Sequence, residues 1–182
     1  MGNKKIDDIN LDNIDLNKHK VVIFSGTKLY RITLKGLDPL RPTGKANRFA
    51  SEPPGYTFEK YQTALQNGTA IIAGTGSNCL CTTVHTARLE IGPDQTNRET
   101  YMITLESDIE IVDMDSICEA EGISEPHTGE RTEIWHKFYG KKIKGLRYRS
   151  SKNPNDYNIV IFPDWFEEFN SIVKIENITN NI

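Results

Sequence analysis

The sequence predicts a single α+β domain with a bent, mostly antiparallel sheet and short helices. Short β-branched runs recur along the chain without helices of crossover length between them, which argues against a doubly wound parallel sheet. Clusters of Gly, Pro, Asn and Asp separate the runs and supply turns. The 182 residues are enough to bury one core without staples.

Taken in order, residues 1–19 are polar, with Ile6, Ile9, Leu11, Ile14 and Leu16 as isolated apolar points. They read as a frayed arm or weak helix that docks on the domain formed by residues 20–182. "KVVIFSG" from Lys20 reads as a short buried strand and "KLYRITL" as an alternating one. Residues 35–58, dense in Gly and Pro, read as a long loop, and such loops tend to be functional. "EKYQTALQNG" predicts a short helix, "TAIIAG" a strand, and "GTGSNCLCTT" a turn leading into a strand. "TVHTARLEIG" predicts a two-turn helix capped by Thr82 or Thr83 and stopped by Gly92. "ETYMITLESDIEIVDM" carries the clearest strand pattern, interrupted by a Glu-Ser-Asp turn. "DSICEAEGI" predicts a brief helix, and "RTEIWHKFYG" an amphipathic one with Ile134, Trp135 and Phe138 inward. "GLRYRS" and "YNIVIF" read as strands joined by the turn "SKNPND". "PDWFEEFNSIVKIENI" reads as a closing helix.

Composition excludes several classes. Hydrophobic residues are 37% and charged residues 26%, a globular balance rather than a disordered one. The net charge of −3 and pI near 5.8 argue against a protein built mainly to hold a nucleic-acid backbone. Five cations (Lys141, Lys142, Lys144, Arg147, Arg149) therefore need a local explanation, for which an alternating strand edge suffices. No apolar run is long enough for a membrane span or a leader. Three cysteines predict a reducing, cytoplasmic setting rather than a disulfide framework. Cys79 and Cys81 would share a strand face, which is not zinc spacing. "GTGSN" lacks the Lys-Ser/Thr of a phosphate loop.

Candidate polar residues each have an ordinary explanation when taken singly. Arg31 in its strand and Arg48 in the long loop suit salt bridges or a bidentate phosphate clamp. Glu90 sits at the unfavourable end of a helix dipole. Ser150 lies where a strand meets a turn. Their order is more informative. "LYRIT" with Arg31, "ANRFAS" with Arg48, "HTARLE" with Glu90, "EIVDM", "TEIWHKF", "GLRYRS" with Ser150 and "NIVIF" follow one another over residues 28–166. In that order they resemble the RES family, toxin domains of bacterial toxin–antitoxin pairs. Two departures stand out: Cys79 occupies the place of the family's strand Tyr, and Ala46-Asn47 precede Arg48 where the family has Gly. Tyr56 or Tyr61, from the longer stretch between Arg48 and that strand, are candidates to replace the missing phenol.

The resemblance implies an ADP-ribosyltransferase-like fold. It also implies cleavage of the nicotinamide–ribose bond of NAD+, as substrate rather than cofactor, with water, phosphate or a protein accepting ADP-ribose. It implies a cognate antitoxin or immunity protein over the cleft, and action in the bacterial cytoplasm of its own or a target cell. Arg31, Arg48, Tyr56 and Ser150 would bind NAD+, and Glu90, Arg48 and Ser150 would carry the chemistry. The alternative is a module on the same scaffold that binds NAD, ADP-ribose or a partner without turnover.

Overall fold

The computed structural model describes residues 4–5, 9–40, 78–124, 137–138, 141–162 and 165–181. Its main elements are β1 (Lys20–Ile23), β2 (Lys28–Leu34), β3 (Asn78–Cys81), α1 (Val84–Ile91), β4 (Arg98–Leu105), β5 (Ile109–Asp113), α2 (Met114–Ala120), β6 (Gly145–Arg149), β7 (Tyr157–Ile161), α3 (Phe166–Ser171) and β8 (Val173–Asn177). The architecture is α+β, with one 8-stranded sheet in the order β1-β5-β6-β7-β3-β2-β4-β8. Among the described residues only β5–β6 is parallel; the other pairings are antiparallel.

That order forces the sheet to curl. In a flat sheet β4 and β5 would lie roughly 24 Å apart at ~4.8 Å per strand. The chain between Leu105 and Ile109 reaches at most about 14 Å. The same holds for β1 and β2, joined by the turn at 24–27. The two corners lock together: Gly26 N–H donates to the Leu105 carbonyl at 2.8 Å, and Leu105 N–H to that of Thr27 at 3.0 Å. Leu29, Leu80, Ile103, Ile111 and Ile159 meet on the concave side, where Phe169 of α3 packs against them.

The other face carries two apolar groups. Val112, Leu146 and Val160 pack with Met114 and Ile117 of α2 and with Ile9 and Leu11 of the N-terminal segment. Ile32 and Cys81 pack under Ala87 of α1. The N-terminal segment thus docks through two short 3-10 turns, Leu11–Asn13 and Leu16–His19.

Three expectations change. Among the described residues the strand at Lys20 is an edge, with Val22 43% and Phe24 66% exposed. The strand carrying Arg147 and Arg149 is interior, flanked by β5 and β7. Its start requires glycine, because a Cβ on Gly145 would lie 2.0 Å from the Val160 carbonyl oxygen. The closing helix ends at Ser171 and the chain continues as β8 beside β4. The β-branched alternation of "VKIEN" favours a strand once β4 offers an open edge. The elements expected from "EKYQTALQNG" and "TAIIAG" and most of "RTEIWHKFYG" lie outside the described residues; Phe138 is described and buried.

Candidate active site

The site is assembled where α1, packed on β2 and β3, brings its last turn to β7. Thr83 caps α1, its hydroxyl accepting from Thr86 N–H at 3.1 Å. Gly92 ends the helix at φ +89°, a backbone region that suits glycine. Register places Tyr148, Asn158, Cys81 and Tyr30 side by side across β6, β7, β3 and β2, on the face that α1 covers.

Glu90, in the last turn of α1, hangs over this row. Its Oε1 accepts from Ser150 Oγ at 2.6 Å and from Asn158 Nδ2 at 2.8 Å. Both donors are buried, Ser150 at 1% and Asn158 at 2% exposure, whereas Glu90 itself is exposed. One carboxylate oxygen is therefore pinned from below, while the residue stays open to solvent. Charge-assisted bonds of this kind are worth about 1.5–3 kcal/mol each, enough to outweigh the helix-dipole penalty of under ~1 kcal/mol.

Ser150 is fully engaged. Its hydroxyl gives its one proton to Glu90 and accepts from Lys152 N–H at 3.1 Å and Asn153 N–H at 3.3 Å. The turn that shapes it is latched to the first turn of α1. Asp156 Oδ2 accepts from Thr83 Oγ1, Thr86 Oγ1 and Asn153 Nδ2, each at 2.7 Å. Thr82 adds a reciprocal pair with the Tyr157 backbone, accepting at 3.0 Å and donating at 3.1 Å. Helix and turn are thus tied at both ends, by Asp156 at the start of α1 and by Ser150 at its finish.

Glu90 and Ser150 are within hydrogen-bond distance although 60 residues apart in sequence. Arg31 leaves β2 on the opposite, concave face with Leu29, is buried, and donates to the Pro39 carbonyl at 2.8 Å. That bond holds the start of the segment leading to Arg48. Arg48 and Tyr56 lie outside the described residues. Asn158 and Asp156 were not singled out from the sequence. The legible signal was an amide inside the apolar run "YNIVIF" and an Asp closing "SKNPND".

Cys81 borders the site as a thiol. Burial pushes its pKa well above the ordinary 9.0; nearby Cys79 and Glu90 push the same way and Arg31 opposes. A thiol held protonated is a poor nucleophile. Cys79 lies 3.7 Å from the Tyr148 hydroxyl, so a buried phenol from β6, reaching across the intervening β7, comes to the position of the family's strand Tyr. The apolar depression lined by Ile109, Ile161, Trp165 and Phe169 opens on the other face of the sheet, away from Glu90.

Together these features define an α+β scaffold carrying a solvent-facing carboxylate braced by a buried serine and asparagine. Among solved structures, the chain is similar to the M. tuberculosis MbcT–MbcA toxin–antitoxin complex, with 14% identity over 91% of each chain and a TM-score of 0.45. No family model and no curated protein matches the chain.

Proposed function

We propose that the protein is an NAD+-consuming toxin that cleaves the nicotinamide–ribose bond, with Glu90 as the group acting on the ribose. The order of the Arg31, Arg48, Glu90 and Ser150 segments in the sequence motivates the reading. The observation that carries it is the split character of Glu90, with Oε1 fixed by two buried donors and the carboxylate still facing solvent. In this reading the C1′–N bond breaks with its electron pair leaving on nicotinamide. Positive charge grows on the ribose ring, and the fixed carboxylate opposes it without having to reorganise. Water, phosphate or a protein nucleophile then bonds to C1′ and passes its proton to solvent or to Glu90. Ser150 and Asn158 position Glu90 rather than touching substrate. Arg48 and Tyr56 are the groups proposed for the pyrophosphate and base, and Arg31 for anchoring the segment that bears them. A cognate antitoxin covering Glu90 follows from the same reading.

Induced expression in a bacterial host tests it. Wild type should empty the NAD pool and stop growth, while Glu90→Gln, made to the same level, should do neither. Growth arrest with an intact NAD pool would overturn the reading. Cys79 at the expected Tyr position favours one second reading, a module that binds NAD or ADP-ribose without turnover. Calorimetric binding with no nicotinamide release would identify it.

A further inference from the structure

The outer edge of β8 has a register that fits a second copy of itself. Ile178 N–H donates to the Thr100 carbonyl at 2.9 Å, and Glu106 N–H to that of Ile172 at 2.7 Å. In the antiparallel β4–β8 ladder, every second residue from Ile172 therefore turns its backbone groups toward β4. Val173, Ile175 and Asn177 turn theirs outward. Among the described residues no strand pairs with that side, and β8 ends the sheet. Residues 174–177 are exposed, Ile175 by 39%.

We infer that two copies of the chain pair antiparallel through β8 about a two-fold axis at Ile175. Around that axis Val173 meets Asn177 of the other copy and Ile175 meets its own equivalent. These are the positions whose backbone groups point away from β4, so each becomes a hydrogen-bonded pair. The intervening Lys174 and Glu176 fall opposite each other twice, in the non-hydrogen-bonded sites where side chains approach more closely. A lysine on an edge strand ordinarily discourages pairing; in this register it meets an opposite charge. On the concave-side face, Val173 already packs against the core. The Ile175–Ile175 contact would extend that layer across the axis, covering the exposed isoleucine. Other registers lose this match: a two-residue shift sets Lys174 against Lys174, or Glu176 against Glu176. The occupant the edge selects is thus its own copy, through an isologous contact.

A five-residue edge is a small interface, so association is expected in the micromolar range. Sedimentation equilibrium on the full chain tests it. Wild type should show a monomer–dimer equilibrium. Lys174→Glu should weaken it at least about tenfold by placing like charges together. The double variant Lys174→Glu/Glu176→Lys should restore it, because the swapped pair is again self-complementary. All these side chains are exposed, so folding is not at stake, and the thermal melt verifies this. A wild type that stays monomeric up to about 1 mM, beyond the range of a specific weak contact, overturns the inference. So does a dimer indifferent to Lys174→Glu, or one that the double variant fails to restore.

Discussion

A carboxylate in the last turn of a helix faces the negative end of the dipole, and Glu90 is kept there by two donors from outside the helix. Asn158 is the less obvious of the two. Its Nδ2 serves Glu90, while its Oδ1 is buried without a hydrogen-bond partner among the described residues. An unpaired buried acceptor costs about 1–3 kcal/mol, so retaining an amide there fits a role in aiming the carboxylate. Asn158→Ala should lower kcat of the proposed NAD+ cleavage by about tenfold, the worth of one such bond, with KM little changed because in that proposal it does not touch substrate. Steady-state kinetics beside a thermal melt checks this; an unchanged kcat would remove Asn158 from the mechanism. Cys81 gives a second test at this scale. Its folded pKa lies above the unfolded one, so the unfolded chain releases the proton first. Stability should be unaffected well below pH 9.0 and fall as pH rises above it. Cys81→Ser should lose that part of the decline, as read from denaturant unfolding of both proteins between neutral and alkaline pH. Glu90 and Ser150 were legible because the sequence order of their segments carries them. Asn158 was not: one amide in an apolar strand looks like an isolated polar residue until register places it under a helix end.

At the level of elements, the working unit is α1 clamped to the 150–156 turn. Asp156 accepts three side-chain donors at the start of the helix, and the opposite end of the clamp is the Ser150–Glu90 bond. Asp156→Ala removes the charged acceptor shared by two threonine hydroxyls and an amide, leaving them their bonds to one another. It should cost about 2–4 kcal/mol by chemical denaturation, from losing bonds to a charged acceptor. It should also reduce turnover, because Ser150 loses its fixed turn; full activity in the variant would separate the latch from the site. The boundaries of α1 were readable from Thr83 and Gly92, since caps are local chemistry. The C-terminal strand was not, because "SIVKIENI" suits either a helix or a strand, and the open edge of β4 decides between them. The strand pattern on both sides of Glu106-Ser107-Asp108 was readable too. That β4 and β5 pair with other strands, and not with each other, depends on contacts distant in sequence.

Across the whole molecule, the basic run at 141–149 is largely absorbed by the fold. Arg147 pairs with Asp113 and lies 4.4 Å from the Tyr157 ring centre; Arg149 is 3.8 Å from Asp115. Lys144 pairs with Glu168 and Lys141 with Asp12. Cations met by acids in this way tie the curl, α2 and the N-terminal segment together, and offer little to a polyanion. No helix among the described residues is long and apolar enough to cross a membrane. What the fold achieves for function is to bring the last turn of α1, packed on β2 and β3, against β7 and the turn after β6, so that a carboxylate, a hydroxyl and an amide from three elements meet at one oxygen atom. The most direct test is mass spectrometry of NAD+ incubated with purified protein, with and without phosphate, beside Glu90→Gln. Wild type should release nicotinamide together with ADP-ribose or its phosphorylated form, and Glu90→Gln should be slower by about 10²–10³. NAD+ left intact by the wild type under both conditions, or consumed equally fast by Glu90→Gln, would contradict the account.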